Sequence, residues 1–467
     1  KPGQTVESLA THFSIDAAML QSMNPGMIIP GTTIKIPPAE HPMTPTNGSN
    51  GLIGQAVIAE EAGAIRVSNK YGQGQQIVTT IPELMTAMQP YNAIEKTGPT
   101  TYRINRVFSI DGDIRLDITK TTLSKLELVS SPSVVTCLCM DQGALLIDGV
   151  TITSFDPQTK KPDTNSADGR SFLRIKNGRM DIINSRISYL GSGLETDREL
   201  ADNSVANSVP LLTEGGVYGA SWRISSKTLG QNLTTGWVEK SDFEHNHFGA
   251  YTFGVSGMTW RSNMFTKNDV YGLDPHDDSN NSLFEDNIFS YNGKHGFIVS
   301  KRCNYNIIRN NFSYSNKGHG FMLHQDSAYN LVENNIAYNN FDNFVVYASN
   351  YNTIRKNKSY EPTASHIRVN QQSNNTFITG NQMFGGTRGI YLYDDAQAVY
   401  VGRNDIHGVR KELQTDGAKN VVYARNTNDA INYEIATGDR MIFGENNITH
   451  QDYTTPNPQE IARDFGP

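Results

Sequence analysis

Short apolar runs with a period of two residues recur along most of this chain, and asparagine or glycine interrupts them. Side chains of a strand alternate between its two faces, so this pattern predicts short β-strands joined by turns. The short helix predicted after residue 53, residues 82–88, begins with a proline in its first turn. Asparagines that end corresponding runs follow one another at steps of 22 to 24 residues: Asn263, Asn287, Asn311, Asn335, Asn357, Asn381, Asn404 and Asn426.

Repeats of this length indicate stacked structural units, each packed only on its neighbours. Because the repeats contain strands and turns rather than helices, they predict an all-β fold, a right-handed parallel β-helix with coils of 22 to 24 residues. Asparagine tolerates the left-handed backbone of tight turns, and its amide can hydrogen-bond from coil to coil. We therefore interpret the repeated asparagines as scaffold.

A second repeated column sorts inward from outward positions: Gly249, Gly272, Gly296, Gly320, Asn343, His366 and Gly389. Residues one and three positions after this column are mostly apolar and are predicted to form the core. Residues two and four positions after it are predicted to form a solvent-facing strip that includes Asp274 and His276. The strip also contains Tyr251, Tyr347 and Tyr391, and such an aromatic face suits an extended carbohydrate chain. An ordinary solvated face is the alternative.

Composition shifts along the chain divide it into five parts. The predicted boundaries are a small α+β module at 1–38, a Pro/Gly/Asn linker at 39–52, a β-rich N-terminal part of the solenoid at 53–140, the parallel β-helix at 141–450, and a C-terminal tail or cap at 451–467. The segment 192–232 has no coil pattern and is expected to be an insertion or a lid.

Charge and cysteine content exclude several classes of function. The net charge of −7 argues against nucleic acid as a partner, and no apolar run is long enough to predict a membrane span. The three cysteines, Cys137, Cys139 and Cys303, are too few for a structural zinc site and are predicted to be buried thiols. The chain begins with lysine, so we expect a processed form, in which a missing signal peptide says nothing about export.

The heptapeptide from Tyr271 to Asp277 concentrates a phenol, two carboxylates and an imidazole. Strand alternation predicts Asp274 and His276 on one face, with Pro275 inward and fixing the backbone between them. A carboxylate beside an imidazole raises its pKa and sets its orientation. The tyrosine provides a second proton carrier.

Cations follow one coil later, at Lys301 and Arg302. Further candidates for substrate binding are Lys240, Lys267, Lys294, His295, His319, His324 and Arg368. A base, an acid and a cation suit proton abstraction α to a carboxylate, as at C5 of a hexuronic acid, where the cation neutralises an enolate-like dianion. Reprotonation from the opposite face gives epimerisation, and loss of the O4 substituent gives β-elimination. The residues alone leave both outcomes open, as well as a non-catalytic binding solenoid.

The motif "YGLDPHDD" followed by "KHGFIVS" closely resembles the periplasmic mannuronan C5-epimerases of alginate-producing bacteria, over roughly residues 140–410. The resemblance implies an anionic polysaccharide substrate, alginate or polymannuronate, and a periplasmic or secreted location. It implies that His276 takes the C5 proton and that a cation of the next coil neutralises the carboxylate. Lys301 stands where that family has arginine, with Arg302 adjacent. A tyrosine implicated in related calcium-dependent modules matches Tyr271.

The resemblance also bears on cofactors and assembly. The glycine-aspartate calcium repeats of the secreted modular enzymes are missing from this sequence, so no cofactor is required, although Asp277 and Asp278 are candidates for a weak calcium site. We expect a monomer.

The first 38 residues resemble a LysM domain, a module that binds N-acetylglucosamine polymers. The resemblance rests on "PGQTVESLATHF", "NPG" and "IIPGTTIKIP". It implies peptidoglycan or a related polymer as a further partner.

Overall fold

A computed structural model describes residues 41–46, 51–61, 63–71, 76–132, 134–193, 218–224, 234–453, 457–458 and 460–461. The chain divides into two units, 1–41 and 42–467, and the description below concerns the second. The LysM-like segment and most of the predicted insertion at 192–232 lie outside the described residues.

Three long sheets, here called A, B and C, wind along the chain so that each coil contributes one strand to each sheet. Sheet A consists of Ala56–Glu61, Ala64–Asn69, Phe108–Asp111, Cys137–Asp141, Phe172–Lys176, Tyr218–Arg223, Phe248–Phe253, Leu273–His276, Phe297–Ser300, Phe321–His324, Asp342–Tyr347, Ser365–Asn370, Arg388–Tyr393, Lys411–Asp416 and Tyr433–Ile435. Sheet B consists of Ile77–Thr80, Ile114–Thr119, Ala144–Asp148, Arg179–Ile183, Trp237–Glu239, Thr259–Arg261, Leu283–Glu285, Ile307–Arg309, Leu331–Glu333, Thr353–Arg355, Phe377–Thr379, Tyr400–Gly402, Val421–Ala424 and Met441–Phe443. Sheet C consists of Ile94–Lys96, Thr101–Ile104, Lys125–Ser131, Val134–Val135, Thr151–Phe155, Arg186–Ser188, Asp242–Glu244, Met264–Thr266, Ile288–Ser290, Phe312–Tyr314, Ile336–Tyr338, Lys358–Tyr360, Gln382–Phe384, Asp405–His407, Thr427–Asn428 and Asn447–Ile448.

Successive coils pair in parallel, and the result is the predicted right-handed parallel β-helix. The antiparallel strand pairs lie in the N-terminal part. There Ala56–Glu61 pairs with Ala64–Asn69, Ile94–Lys96 pairs with Thr101–Ile104, and Lys125–Ser131 pairs with Val134–Val135. The α-helix Ile81–Ala87, with proline in its first turn, and the 3-10 helix Gln89–Tyr91 follow the first strand of sheet B.

Inward-facing residues form one continuous core along the solenoid. Both inward positions predicted for sheet A are buried in every coil from Phe248–Phe253 to Arg388–Tyr393, which confirms the predicted alternation. Stacked aromatic rings continue from coil to coil inside the core, for example Phe243 on Phe265 and Phe265 on Phe289, at ring-centroid distances of 4.8 and 5.2 Å. Parallel strands about 4.8 Å apart hold equivalent rings at this spacing.

The repeated asparagines form buried hydrogen-bonded ladders at the corners of the solenoid, which confirms their scaffold role. From Asn263 to Asn446, each side-chain Nδ2 donates to Oδ1 of the equivalent asparagine in the next coil, at 2.9 to 3.2 Å. The same Oδ1 accepts the backbone N–H of the preceding rung. A second ladder follows Asn268 at the corner between sheets C and A. Each ladder satisfies turn amides that burial would otherwise leave unpaired.

The described segments at the two ends of the solenoid unit contact outward-facing side chains of its sheets. Within the described part of the predicted linker, Met43 N–H donates to Asp181 at 2.7 Å and Thr46 N–H donates to Asp117 at 2.9 Å, on sheet B. At the other end, the Tyr453 hydroxyl donates to Glu361 at 2.6 Å. Ile461 packs against an apolar cluster on the outer face of sheet C.

Cys137 and Cys139 form a disulfide, so the prediction of thiols is wrong for this pair. Residues i and i+2 of the strand Cys137–Asp141 point to the same face, which brings the two sulfurs together. Cys303 is a buried free thiol, as predicted. No helix among the described residues is long and apolar enough to cross a membrane.

Candidate active site

The strand Leu273–His276 of sheet A ends in a left-handed turn, where Asp277 and Asp278 have φ of 37° and 61°. This turn places the Asp277 carboxylate on the imidazole of His276, with Oδ2 2.5 Å from Nδ1. A carboxylate accepts hydrogen bonds, so Nδ1 carries the proton and Nε2 keeps its lone pair. His276 is therefore oriented as a base toward the outer face of sheet A.

The environment of His276 keeps its imidazole neutral. Burial lowers the pKa of His276; the charge of Asp277 opposes this effect, and the charge of Lys301 reinforces it. We expected a neighbouring carboxylate to raise this pKa. The net change is a lowered pKa, because desolvation of the half-buried ring outweighs the ion pair with Asp277. A neutral imidazole at neutral pH can accept a proton directly.

Asp274 does not pair with His276, contrary to the sequence-based expectation. Its residue is only 4% exposed, and its Oδ1 has no hydrogen-bond partner within the described structure. Burial, and next the charge of Asp277, raise the pKa of Asp274 to about 8, although Lys301 acts in the opposite direction. At neutral pH Asp274 thus holds a proton and can donate a hydrogen bond.

Tyr271 begins a stack of rings at the turn that precedes sheet A. Its ring lies on His295 with a centroid distance of 4.9 Å and an interplanar angle of 14°, and His295 lies on His319 at 4.6 Å and 9°. The predicted alignment of these residues in one column is confirmed. Burial, with a smaller contribution from the charge of Asp274, raises the pKa of Tyr271 to about 12. The phenol therefore keeps its proton and is available as an acid.

Hydrogen bonds fix opposite tautomers in the two stacked imidazoles. His319 N–H donates to Nδ1 of His295 at 3.0 Å, so His295 carries its proton on Nε2. Arg368 donates through Nη2 to Nε2 of His319 at 3.0 Å, and Nδ1 of His319 faces Oδ2 of Asp342 at 3.2 Å. Burial lowers the pKa of His295 to about 3. Both rings are thus neutral.

Arg368 is held by protein groups, whereas the sequence predicts that it binds a substrate carboxylate. Its Nε lies 2.9 Å from Oδ2 of the buried Asp342, and its Nη1 donates to the Tyr393 hydroxyl at 2.9 Å. With the contact to His319, both Nη atoms of the guanidinium have hydrogen-bond partners, while Nε makes an ion pair with Asp342 that lacks hydrogen-bond alignment.

The two cations of the coil after His276 have different environments. Arg302 donates to both oxygens of Asp278 at 3.0 to 3.3 Å and to Oδ1 of Asp277 at 2.8 Å. Lys301 makes no ion pair with a carboxylate among the described residues, and its charge acts on the pKa values of Asp274 and His276. Lys301 is the cation that remains available beside the motif.

These residues form three parallel columns on the outer face of sheet A, set by the strand register. One outer column holds Tyr271, His295 and His319; the central column holds Asp274, Ile298, Met322 and Val345; the other outer column holds His276, Ser300, His324 and Tyr347. The predicted solvent-facing strip is wrong for the central column, which is buried. Rings of the outer columns cover it, so His276 and Tyr271 flank Asp274.

The outer column that contains His276 continues with hydrogen-bonded and aromatic groups. His324 shares a hydrogen bond with the Ser300 hydroxyl through Nδ1 at 2.8 Å, and its ring lies 5.0 Å from that of Tyr347. Burial, then the charges of His276 and Lys301, lower the pKa of His324.

The remaining predicted site residues lie at different distances from the motif. Tyr251 lies beside the motif, 5.6 Å from the His276 ring, but it is buried against Tyr218. Lys267 and Lys294 are exposed at the corner that precedes the Tyr271 column. Tyr391 stacks on Tyr393 at 4.4 Å, farther along sheet A.

Lys240 is misplaced by the sequence interpretation. It lies between Trp237–Glu239 and Asp242–Glu244, at the corner of sheets B and C, which sheet A does not share. The error arises because each coil has three turns, and spacing along the chain does not tell which corner a turn residue occupies.

Sequence reasoning placed Ser300 and Tyr393 on the predicted outer strip without assigning them to the site, and it missed Asp342. Asp342 falls in the column of Tyr271, His295 and His319, so column alignment carried a signal for it. Among the residues that the structure describes, no group of three His, Cys, Asp or Glu side chains is arranged to hold a metal ion.

Comparison with known proteins gives three findings. The family model described as "Right handed beta helix region" matches residues 133–335 and 276–406. A mannuronan C5-epimerase from Pseudomonas fluorescens is 34% identical over 61 residues, which are 13% of this chain and 12% of that protein. Crystal structures of the periplasmic alginate epimerase AlgG superpose with TM-scores of 0.63 for one substituted variant and 0.57 for another structure, at 18% identity, with 83% of this chain and 85% of that chain covered. At this identity the superposition shows a shared fold.

Proposed function

This chain belongs to the right-handed β-helix family, and from that premise we propose that it is a mannuronan C5-epimerase acting on polymeric alginate or polymannuronate. The observation that carries the proposal is the His276–Asp277 pair, in which Nε2 of His276 keeps its lone pair. A protonated Tyr271 lies in the opposite outer column, and the unpaired cation Lys301 follows one coil later, where its charge acts on His276. Similarity to a mannuronan C5-epimerase sequence and to the AlgG fold supports the substrate class. A periplasmic or secreted location follows from the same substrate.

In the proposed mechanism, Nε2 of His276 removes the C5 proton of a mannuronate residue. The C–H electron pair moves into the carboxylate, and the resulting dianion is stabilised by the Lys301 ammonium and by a hydrogen bond from protonated Asp274. The Tyr271 hydroxyl then donates its proton to C5 from the other side of the ring, which inverts the centre. The two proton carriers occupy opposite outer columns, as inversion requires.

The other residues of the site act through these groups or along the chain of sugars. We assign Arg368 and Asp342 as positioning residues, because they hold His319 and, through the stack, His295 and Tyr271. His295 presents Nε2–H as a neutral donor for substrate oxygens. Lys267, Lys294, His324, Tyr347 and Tyr391 line the path of neighbouring sugar residues.

Incubation with polymannuronate in deuterated water tests the proposal. The expected result is guluronate with deuterium at C5, detected by nuclear magnetic resonance. Ultraviolet absorbance from unsaturated chain ends would instead mean β-elimination and a lyase. Binding without either product would mean a non-catalytic solenoid, and both outcomes would refute the epimerase.

Substitution of Lys301 by alanine is expected to lower kcat about 100-fold, since one preorganised charge on a developing anion contributes about this factor. Arg302→Ala is expected to cost less, about 10-fold, because Arg302 acts through Asp277 rather than on substrate. The measurement is the initial rate of guluronate formation at saturating polymannuronate.

Lys240→Ala provides the matched control, because Lys240 is also an exposed lysine in a left-handed turn, with φ of 49° against 61° for Lys301. Its rate should equal that of the unsubstituted protein. A larger loss for Arg302→Ala than for Lys301→Ala would contradict the assignment of the cation.

A further inference from the structure

The C-terminal end of the solenoid exposes strand edges. Its last strands are Tyr433–Ile435, Met441–Phe443 and Asn447–Ile448, and each pairs with the preceding coil along one edge. In the part of the chain that the structure describes, no strand pairs with their other edges. Three rows of backbone donors and acceptors therefore face outward together.

The hydrophobic core is also open at this end. Equivalent inward positions are at most 2% exposed one coil earlier, at Thr415, Tyr423 and Asn428. In the last coil these positions are Ile435, Phe443 and Ile448, with exposures of 36%, 46% and 58%. Phe443 stacks on Tyr433 of the same coil at 5.4 Å and contacts Tyr423 of the preceding coil at 6.0 Å. The end face is a cross-section through the core.

The opposite end of the solenoid is covered. The helix Ile81–Ala87 buries Ile81 and Leu84 against the first coils. The strand Ala56–Glu61 pairs antiparallel with Ala64–Asn69 and covers that edge of sheet A. At the C-terminal end, the described tail packs elsewhere, because Tyr453 and Ile461 contact the outer face of sheet C.

We propose that a second copy of this chain covers the open end, in an end-to-end dimer with a twofold axis perpendicular to the solenoid. Such an axis reverses strand direction, so the unpaired parallel edges of the two copies meet as antiparallel pairs. The surface is self-complementary, since each copy offers the same section of core and the same three edges. Open edges with apolar side chains are the surfaces that associate most readily.

The size and charge of the last coil are compatible with a second copy of the chain at the open end. The last coil, residues 429–448, presents about 20 residues, the number that one side of a standard protein interface contains. Its turns carry Arg440 beside Asp439 and Glu445, so both signs of charge are available across the axis. The sequence-based expectation of a monomer is replaced by this proposal.

The proposed interface is separate from the candidate active site. Six strands of sheet A lie between Leu273–His276 and Tyr433–Ile435. A monomeric variant should therefore keep its activity, and failure of the dimer would not bear on the proposed function.

Sedimentation velocity across a concentration series tests the dimer. The unsubstituted protein is expected to reach twice its monomer mass of 51.7 kDa. A Phe443→Lys, Ile448→Lys double variant should dissociate with a Kd raised at least about 100-fold, because two charges enter the apolar centre. Ile53→Lys, at a more exposed apolar residue near the other end, is the control and should leave the Kd unchanged.

Small-angle scattering separates end-to-end from lateral association, since an end-to-end dimer doubles the maximum dimension. Circular dichroism and epimerase activity verify that the double variant is folded. A monomer at all concentrations, a lateral dimer, or equal weakening by Ile53→Lys would overturn the proposal.

Discussion

Replacing His276 with alanine is expected to slow conversion of polymannuronate by about 10²–10⁴-fold, the usual contribution of a positioned general base. The fold should survive, because His276 lies on the outer face of sheet A and packs outside the main core. Its Nε2 is the proton acceptor of the proposed reaction. The measurement is kcat together with deuterium incorporation at C5, and both should fall together.

The pH profile provides a second readout. Because the folded protein lowers the pKa of His276, the imidazole stays neutral below the usual pKa of a histidine. Activity should therefore persist into mildly acidic solution and decline as the pH falls through the lowered pKa. As the pH is lowered, a decline that begins above the ordinary histidine pKa would contradict the neutral-base assignment. As the pH is raised, activity should decline near pH 8, because Asp274 then loses its proton.

The substitution Asp277→Asn tests whether Asp277 sets the tautomer and orientation of the His276 imidazole. The amide of asparagine can donate to Nδ1, which would move the imidazole proton to Nε2 and block the base. We expect about a 100-fold loss with little change in KM, because substrate contacts are retained. His450→Ala, at a well-exposed histidine outside sheet A, is the control that should keep full activity. Equal rates for Asp277→Asn and the unsubstituted protein would remove Asp277 from the site.

Period-two alternation and the asparagine spacing were sufficient to predict the β-helix, its core and its ladders. Each of these features repeats in many coils, so an ambiguous assignment in one coil can be decided by the equivalent positions in the others. The position of Tyr271, His295 and His319 in one column followed from the same repeat. The sequence could also place Asp274, Pro275 and His276 on alternate faces, because alternation is a local property of strands.

The sequence could not predict the contacts and protonation of the site residues, because these depend on turn conformation and on side chains of adjacent coils. The left-handed turn after His276 decides that Asp277, and not Asp274, holds the imidazole. Asp274 lies in the buried central column, and this burial rather than the motif determines its protonation. Arg302 and Lys301 are adjacent in sequence, yet only Arg302 meets the carboxylates of the previous coil, because consecutive turn residues point in different directions.

The Asn263–Asn446 ladder should be the most sensitive element of the fold. Oδ1 of the fully buried Asn311 accepts both the backbone N–H and the Nδ2 of Asn287, at 2.9 and 3.0 Å, while its Nδ2 donates to Asn335 and to the Phe284 carbonyl. Asn311→Ala removes the acceptor of the buried Asn287 N–H and three further hydrogen bonds, one from Asn287 Nδ2, which keeps the Trp260 carbonyl, and two from Asn311 Nδ2. At about 1–3 kcal/mol for the unsatisfied N–H and about 0.5–1.5 kcal/mol for each of the three other bonds, we expect the free energy of unfolding to fall by about 3–7 kcal/mol.

Asn446→Ala is the matched control for Asn311→Ala, because Asn446 is the partly exposed last rung and accepts the same pair of bonds from Asn426. Water can replace those bonds at the surface, so the cost there should stay below about 1 kcal/mol. Urea denaturation followed by circular dichroism measures both variants. Neighbouring coils unfold as coupled units, so the loss at Asn311 should also broaden the transition. If the two substitutions cost the same, the ladder would not owe its stability to burial, and the hydrogen bonds between coils would be incidental to the fold.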